Sequence, residues 1–196
     1  MIIAEECRHD KSNLFCFFVD FRKAFDTVPR NNLWNRLEEL KVPFELRVAA
    51  IRLYENVIAK FKSNEGCSKH IKCNIGVKQG CPLSPTFFGI YIDKLEGFLE
   101  EAGCAGTFLD GIVIILLLYV DDIVCMARCP SDLDKQLRLL KDLCFIMGMI
   151  VNTGKTKVMM IKSKTDTYVK FLYDNNNLEE VSPYKYLGID ILHKLN

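Results

Sequence analysis

Two adjacent carboxylates, Asp121 and Asp122, interrupt an apolar run that otherwise extends from Ile112 to Met126. An ionised carboxylate in such a setting is strongly unfavourable unless a cation or a hydrogen-bond donor compensates it. A third acid, Asp20, stands directly after a second apolar run, Leu14-Phe15-Cys16-Phe17-Phe18-Val19. Three carboxylates brought together would repel strongly without metal. Such a set suits hard, oxygen-seeking ions such as Mg2+ or Mn2+. Two of these ions, about 3.5–4 Å apart, can activate an attacking oxygen and stabilise a leaving one in phosphoryl transfer.

The elements that must position these acids follow from the pattern. The run from Ile112 to Leu118 and the shorter one from Ile123 to Met126 read as two buried strands joined by a tight turn, with the acidic pair at its tip. Asp also favours ordinary hairpin turns through bonds to its own backbone, so the pair alone leaves a plain turn open. Leu14 to Val19 reads as a strand buried on both faces and delivers Asp20 at its end. If the two strands lie side by side, Asp20 and Asp121 meet. The apolar run does not read as a membrane span, because a helix crossing a bilayer needs roughly 20 apolar residues without charges near its middle.

Taken in order, Phe18-Val19-Asp20-Phe21-Arg22-Lys23-Ala24-Phe25-Asp26, Gly76-Val77-Lys78-Gln79-Gly80-Cys81-Pro82-Leu83-Ser84-Pro85 and Tyr119-Val120-Asp121-Asp122 closely resemble the catalytic palm of reverse transcriptases of the non-LTR retrotransposon kind. Asn152-Thr153-Gly154-Lys155-Thr156-Lys157 is similar to the lysine-bearing motif that follows the catalytic hairpin. Tyr184-Lys185-Tyr186-Leu187-Gly188-Ile189 is similar to the primer-grip region. The resemblance runs from about Phe15 to Leu192, with all five motifs in order, and is far more specific than any one of them.

The resemblance implies an α+β polymerase palm: an antiparallel sheet with helices packed on one face and a catalytic hairpin carrying the acidic pair. It implies an RNA-directed DNA polymerase that adds deoxynucleoside triphosphates to a DNA primer on an RNA template. Asp20 and Asp121 would bind two Mg2+ ions, or Mn2+, with Asp122 completing the triad. Lys155 would approach the triphosphate and protonate the leaving pyrophosphate, with Lys157 close enough in sequence to compete. Phe25 matches the aromatic ring placed under the incoming sugar, where it would collide with a 2′-hydroxyl. Gln79 and Gly80 match the loop that tracks the nascent base pair and template. Phe21 and Tyr119 flank the acids as further substrate contacts, and Tyr186, Leu187 and Gly188 would seat the primer terminus. Each has a plainer reading: core packing for Phe25, a loop-to-helix junction for Gln79 and Gly80, a turn for Asn152 to Gly154, a strand edge for Tyr186 to Gly188.

The rest reads as scaffold. Leu33, Trp34, Leu37 and Leu40 recur at helical spacing after Pro29-Arg30-Asn31-Asn32, whose asparagines suit caps, and Phe44 to Tyr54 continues as a second helix. Both are expected to cover one face of the sheet. Ser84 before Pro85 fits a helix start, with Phe87, Ile90, Tyr91, Leu95 and Phe98 following at helical spacing. Ser131-Asp132-Leu133-Asp134 resembles a capping box opening a helix whose apolar stripe, Leu133, Leu137, Leu140, Cys144 and Met147, ends at Gly148 and should pack behind the acidic hairpin. Val57 to Phe61 with His70 to Ile75 suits a hairpin, and Val158 to Ile161 with Tyr168 to Leu172 suits late strands.

With 196 residues, 49% of them apolar, the chain is expected to form one domain with a substantial core. Its nine cysteines include no paired Cys-x-x-Cys, which favours reduced, mostly buried thiols over zinc or disulfides. No secretory leader is evident, so nucleus or cytoplasm is expected. The net charge of +1 is low for a nucleic-acid binder. Local lysine groups, Lys60, Lys62, Lys69, Lys72 and Lys78, and Lys155, Lys157, Lys162, Lys164 and Lys170, could instead line a duplex channel or sit on solvated edges. Against the family pattern, the chain looks like a palm with partial fingers, lacking N-terminal fingers and a C-terminal thumb. Two other readings fit the same residues: a non-catalytic palm-fold remnant that binds nucleic acid or protein, and a maturase-like intron RNA-binding protein.

Overall fold

Leu14–Val19 forms strand β1, buried at every position, because a strand of Leu, Phe, Cys and Val has no polar face to offer water. The computed structural model describes residues 2–10, 12–64, 66–161 and 169–192. Ahead of β1 lies helix α1 (Ile2–His9). After it come α2 (Ala24–Thr27), α3 (Arg30–Glu39), α4 (Phe44–Tyr54), β2 (Ile58–Ala59), β3 (Lys62–Ser63), β4 (Gly66–Cys67), β5 (Ile71–Lys72) and α5 (Ser84–Ile92). Then follow α6 (Lys94–Glu101), β6 (Thr107–Leu109), β7 (Ile112–Ile114), β8 (Leu116–Tyr119), β9 (Asp122–Ala127) and α7 (Pro130–Met147). The remaining strands are β10 (Lys157–Ile161), β11 (Leu172–Tyr173), β12 (Asn176–Asn177), β13 (Glu179–Glu180), β14 (Tyr184–Tyr186) and β15 (Ile189–Ile191). The chain divides into two compact units, Met1–Arg22 with Asp93–Asn196, and Lys23–Ile92.

In the first unit β1 is the middle strand of a five-stranded sheet ordered β13-β10-β1-β9-β8. Its pairings with β9 and β10 are antiparallel, but β13 joins β10 in parallel, so the sheet is mixed at that edge rather than wholly antiparallel. Alternation along β1 sends Phe15 and Phe17 to one side and Leu14, Cys16 and Phe18 to the other. On the first side Phe15 meets Phe171 edge-on at 6.1 Å and Phe17 stacks with Tyr173 at 6.5 Å. The apolar stripe of α7 is buried there as its spacing predicts, and α7 packs on β9 and β1.

The second side is not open, as helices on one face alone would leave it. Ile3 and Cys7 of α1 and Ile191 of β15 close over Leu14, Cys16, Phe18, Val124, Met126 and Met159. Helices α3 and α4 pack on each other, and α3 packs on α5, inside the second unit, which contributes no strand to this sheet.

Several boundaries differ from the sequence expectation for identifiable reasons. The run from Ile112 to Leu118 is two strands, because β7 turns back on β6 through Asp110 and Gly111, both at positive φ, and Ile112 and Val113 are exposed. Asp-Gly is a strong turn signal of the primed type. Helix α7 starts at Pro130, suited to the first helical position, so Cys129 and not Ser131 takes the capping place; its thiol donates to the Asp132 carboxylate at 2.8 Å. Its C-terminus is capped by Gly148 at φ 67. In α3 the cap is Pro29, and Asn31 and Asn32 lie exposed in the first turn. The hairpin before the glutamine loop exists but is short: β2 pairs with β5 over two residues, with β3 and β4 nested inside. Of the late strands, β10 forms as expected; Tyr168 lies outside the described residues, and Leu172 pairs in the β11–β12 hairpin. All nine cysteines are free thiols, five of them buried. No helix among the described residues is long and apolar enough to cross a membrane.

One buried polar side chain ties α7 to the strand that carries the acids. Gln136, wholly inaccessible to solvent, donates through Nε2 to the carbonyls of Met126 and Ala105, both at 2.9 Å. Gln136→Ala strands both carbonyls and is expected to lower the unfolding free energy by about 2 kcal/mol, read as a lower urea midpoint at unchanged slope. A change under about 0.5 kcal/mol would mean that these bonds do not hold helix to sheet.

Candidate active site

The acids gather where the ladders of the first unit run out. The pairing of β1 with β9 ends at Val19 opposite Ile123, and that of β8 with β9 ends at Tyr119 opposite Asp122. Val120 and Asp121 are therefore a two-residue turn, and Val120 stands at φ 56, an unusual place for a β-branched residue. One step beyond the last β1–β9 pair, Asp20 and Asp122 continue the same face as Phe18 and Val124. Asp20 is half-buried, while Asp121 and Asp122 are exposed. Desolvation, then Asp121, then Asp20 hold the Asp122 carboxyl above the usual carboxylate range.

Hairpin β14–β15 borders this cluster. Tyr184 stacks on Phe18 with ring centroids 3.8 Å apart, and the Tyr186 hydroxyl donates to the Asp122 carbonyl at 3.4 Å. Burial and then the charge of Asp122 push both phenols up. The turn of this hairpin consists of Leu187 at φ 48 and Gly188 at φ 81, with Leu187 and Ile189 exposed.

The segment after α7 grips Asp20 from the other side. Arg22 N–H donates to Ile150 O at 2.8 Å, Phe21 bridges Val151, and Asn152 N–H donates to Asp20 O at 2.7 Å. The Asp20 N–H in turn donates to the Thr156 hydroxyl at 3.1 Å. Lys155 projects from this turn, exposed. Lys157 is engaged instead, its Nζ bonded to Gly154 O at 2.7 Å and to Glu179 at 2.6 Å. Phe21 does not present its ring to a substrate: it is 7% exposed and belongs to the core. Tyr119, at 61% exposure, is open to solvent.

Among the described residues no three His, Cys, Asp or Glu side chains form a ready-made metal cage. The donor chemistry nevertheless fits an Mg2+ ion, which is commonly held by one or two carboxylates and completed by substrate phosphates and water. The Asp122 carboxyl is raised first by desolvation and then by the charges of Asp121 and Asp20, and a cation bound there would offset both effects.

The second unit organises the glutamine loop by itself. Phe25, half-buried, stacks on Phe88 at 5.1 Å and lines a cleft of about 430 Å³ together with Lys78, Gln79, Gly80, Cys81 and Pro82. Gln79 Nε2 donates to Asp26 at 2.9 Å, and Val77 N–H donates to Phe25 O at 2.7 Å. Gly76 lies at φ 81, and a Cβ there would fall 2.6 Å from Asp26 O, so only glycine fits. Arg30 donates to the carbonyls of Gly76, Tyr54 and Ile75 at 2.8, 3.1 and 3.3 Å. The Arg30 guanidinium and the Lys78 ammonium lie over the Tyr54 ring at 5.0 and 5.3 Å, and the Tyr54 hydroxyl accepts the Lys78 N–H. Ser84, expected to cap α5, directs its hydroxyl to Lys78 O instead. Arg30, Tyr54 and Thr156 hold these segments through bonds that local sequence does not single out.

Two outcomes follow from these geometries. Gly76→Ala is expected to loosen the glutamine loop, seen as faster proteolysis between residues 73 and 85 and a stability loss of about 2–3 kcal/mol. Wild-type resistance would contradict the close approach to Asp26. The raised Asp122 carboxyl holds more protons folded than unfolded, so its contribution to stability falls as pH rises from the ordinary value of 3.8 through the raised one, and the deficit persists at neutral pH. Asp122→Asn should therefore melt above wild type near neutrality and lose that advantage below about pH 3. An unchanged difference across that range would contradict the charge cluster.

The sequence pattern of the family described as reverse transcriptase (RNA-dependent DNA polymerase) matches residues 2–191. The Pol polyprotein from type-1 retrotransposable element R2 of Nasonia vitripennis is 27% identical over 200 residues, covering 94% of this chain and 19% of that protein. The Pol polyprotein from type-2 retrotransposable element R2DM of Drosophila melanogaster is 23% identical, covering 97% of this chain and 18% of its own length. The chain thus spans about a fifth of these relatives. Telomerase from Candida albicans, solved with a fragment of telomeric RNA, shares the fold at a TM-score of 0.65 and 16% identity, covering 97% of this chain and 31% of that one. With the family pattern matched over nearly its whole length, the chain belongs to the reverse transcriptase (RNA-dependent DNA polymerase) family.

Proposed function

We propose that this chain carries the nucleotidyl-transfer centre of an RNA-directed DNA polymerase of the non-LTR retrotransposon kind. The observation that supports it most is the arrival of Asp20, from β1, beside the turn that bears Asp121 and Asp122, with the Asp122 carboxyl raised by burial and then by both other acids. In this reading Asp20, Asp121 and Asp122 would hold two Mg2+ ions, or Mn2+, at the end of the sheet. Bound there, such ions would favour ionisation of the primer 3′-hydroxyl and offset triphosphate charge.

The chain's own residues supply position. Lys155, free of the carboxylate that occupies Lys157, is the proton donor to departing pyrophosphate. Phe25, braced by Phe88, is the ring that a ribose 2′-hydroxyl would strike, and Gln79 and Gly80 face the nascent pair from a loop that Arg30 and Tyr54 stiffen. Tyr119 contributes an exposed ring beside the acids, and Tyr186, Leu187 and Gly188 present the hairpin that seats the primer. RNA template, DNA primer and deoxynucleoside triphosphates are the partners this chemistry requires.

Primer extension on an RNA template with Mg2+ is the test. Wild type should add deoxynucleotides, with the rate falling roughly 10³-fold in Asp121→Asn. Template binding without extension by wild type would instead favour a palm-fold remnant. In an active protein, Phe25→Val should raise the use of ribonucleoside triphosphates relative to deoxynucleoside triphosphates by roughly 10-fold or more, since a steric exclusion is removed. An unchanged ratio would return Phe25 to core packing.

A further inference from the structure

The ladder between β1 and β10 closes at Phe18 opposite Lys157, two residues before Asp20. Beyond that point no strand backbone of β10 is left to receive the Asp20 N–H, because the chain from Asn152 to Lys155 is folded into a turn. The Thr156 hydroxyl takes that place at 3.1 Å. Thr156 is 0% exposed, so water has no route to substitute for it. The Asp20 carbonyl is held from the same turn, by the Asn152 N–H at 2.7 Å, while the Asn152 carbonyl accepts the N–H groups of Thr156 and Lys155 at 2.9 and 3.0 Å. Both peptide groups of Asp20 are therefore fixed by one small element.

We propose that Thr156 is a positioning residue for Asp20: its buried hydroxyl sets the direction in which the Asp20 carboxylate leaves the sheet, and through it the affinity for a divalent cation. The inference rests on the reading of Asp20 as a metal-binding acid. Valine in place of Thr156 keeps the branched shape but turns a methyl toward the N–H, leaving a buried donor unpaired and free to rotate its peptide. Serine keeps the hydroxyl. Because Lys155 stands on the same turn, acid and lysine are held in fixed register by this bond, and its loss should slow turnover rather than weaken nucleotide capture.

The test compares wild type, Thr156→Val, Thr156→Ser and Asp20→Asn in the full chain. Mn2+ binding is read from the electron paramagnetic resonance of the free ion, and steady-state primer extension is measured beside it. Thr156→Val is expected to weaken Mn2+ binding roughly 10-fold and to lower kcat roughly 10- to 100-fold, with KM for deoxynucleotide changed less than about twofold. Thr156→Ser should restore both to within about threefold of wild type. If Thr156→Val matches wild type in both while Asp20→Asn abolishes both, the positioning role falls and the polymerase reading stands. If wild type neither binds Mn2+ nor extends a primer, the two fall together. Amide hydrogen exchange of Asp20 gives an independent reading should Thr156→Val fail to fold: slow exchange in wild type and Thr156→Ser supports the bond, and fast exchange in wild type overturns it.

Discussion

Like charges at the end of a dry sheet resist one another, and the architecture of the first unit is an arrangement for holding them there. The strands that deliver them, β1 and β9, are buried along almost their whole length on both faces, so a one-residue slip would exchange the side chains packed under α7 for those packed under α1 and β15, and packing sets the register. That rigidity is what brings Asp20 one step past Val19 and Asp122 one step before Ile123. The cost shows in the Asp122 carboxyl, raised by desolvation first and then by Asp121 and Asp20, and a cation carrying phosphate oxygens would relieve it.

The groups around the acids are tethered through backbone rather than through side-chain charge. Thr156 and Asn152 fasten Asp20, and the Tyr186 hydroxyl reaches the Asp122 carbonyl, while the carboxylates stay available. The second unit uses the same economy. Arg30 spends its guanidinium on three carbonyls and Tyr54 its hydroxyl on the backbone N–H of Lys78, so a loop with almost no secondary structure is fixed beneath Phe25. Polar groups with several partners in fixed directions stiffen irregular chain in a way that apolar contact does not.

Much of this was legible beforehand because it depends on short-range pattern. Apolar runs that stop at an acid gave the positions of Asp20 and Asp122, and the stripe from Leu133 to Met147 gave α7 and its place behind the hairpin. What escaped depends on long-range partners. Thr156 bonds to a residue distant in sequence, and Arg30, which precedes the asparagines expected as caps, finds carbonyls at Ile75 and Gly76 that nothing nearby announces. The apolar run before the acids carries no polar residue at Ile115, where β7, folded back on β6 through Asp110-Gly111, gives way to β8. Helix α1, the parallel edge strand β13 and the buried ring of Phe21 carry no distinctive local signature either.

In the proposed reading, three aspartates at the partly desolvated end of the sheet make a divalent-cation site. Titrating the aspartate side-chain carboxyls by carbon-13 NMR, with and without Mg2+, tests it most directly. Asp122 is expected to titrate above the ordinary carboxylate range in metal-free protein, with added Mg2+ lowering its midpoint and shifting the signals of Asp20 and Asp121. An Asp122 that titrates normally and whose signals, with those of Asp20 and Asp121, are indifferent to Mg2+ would contradict it.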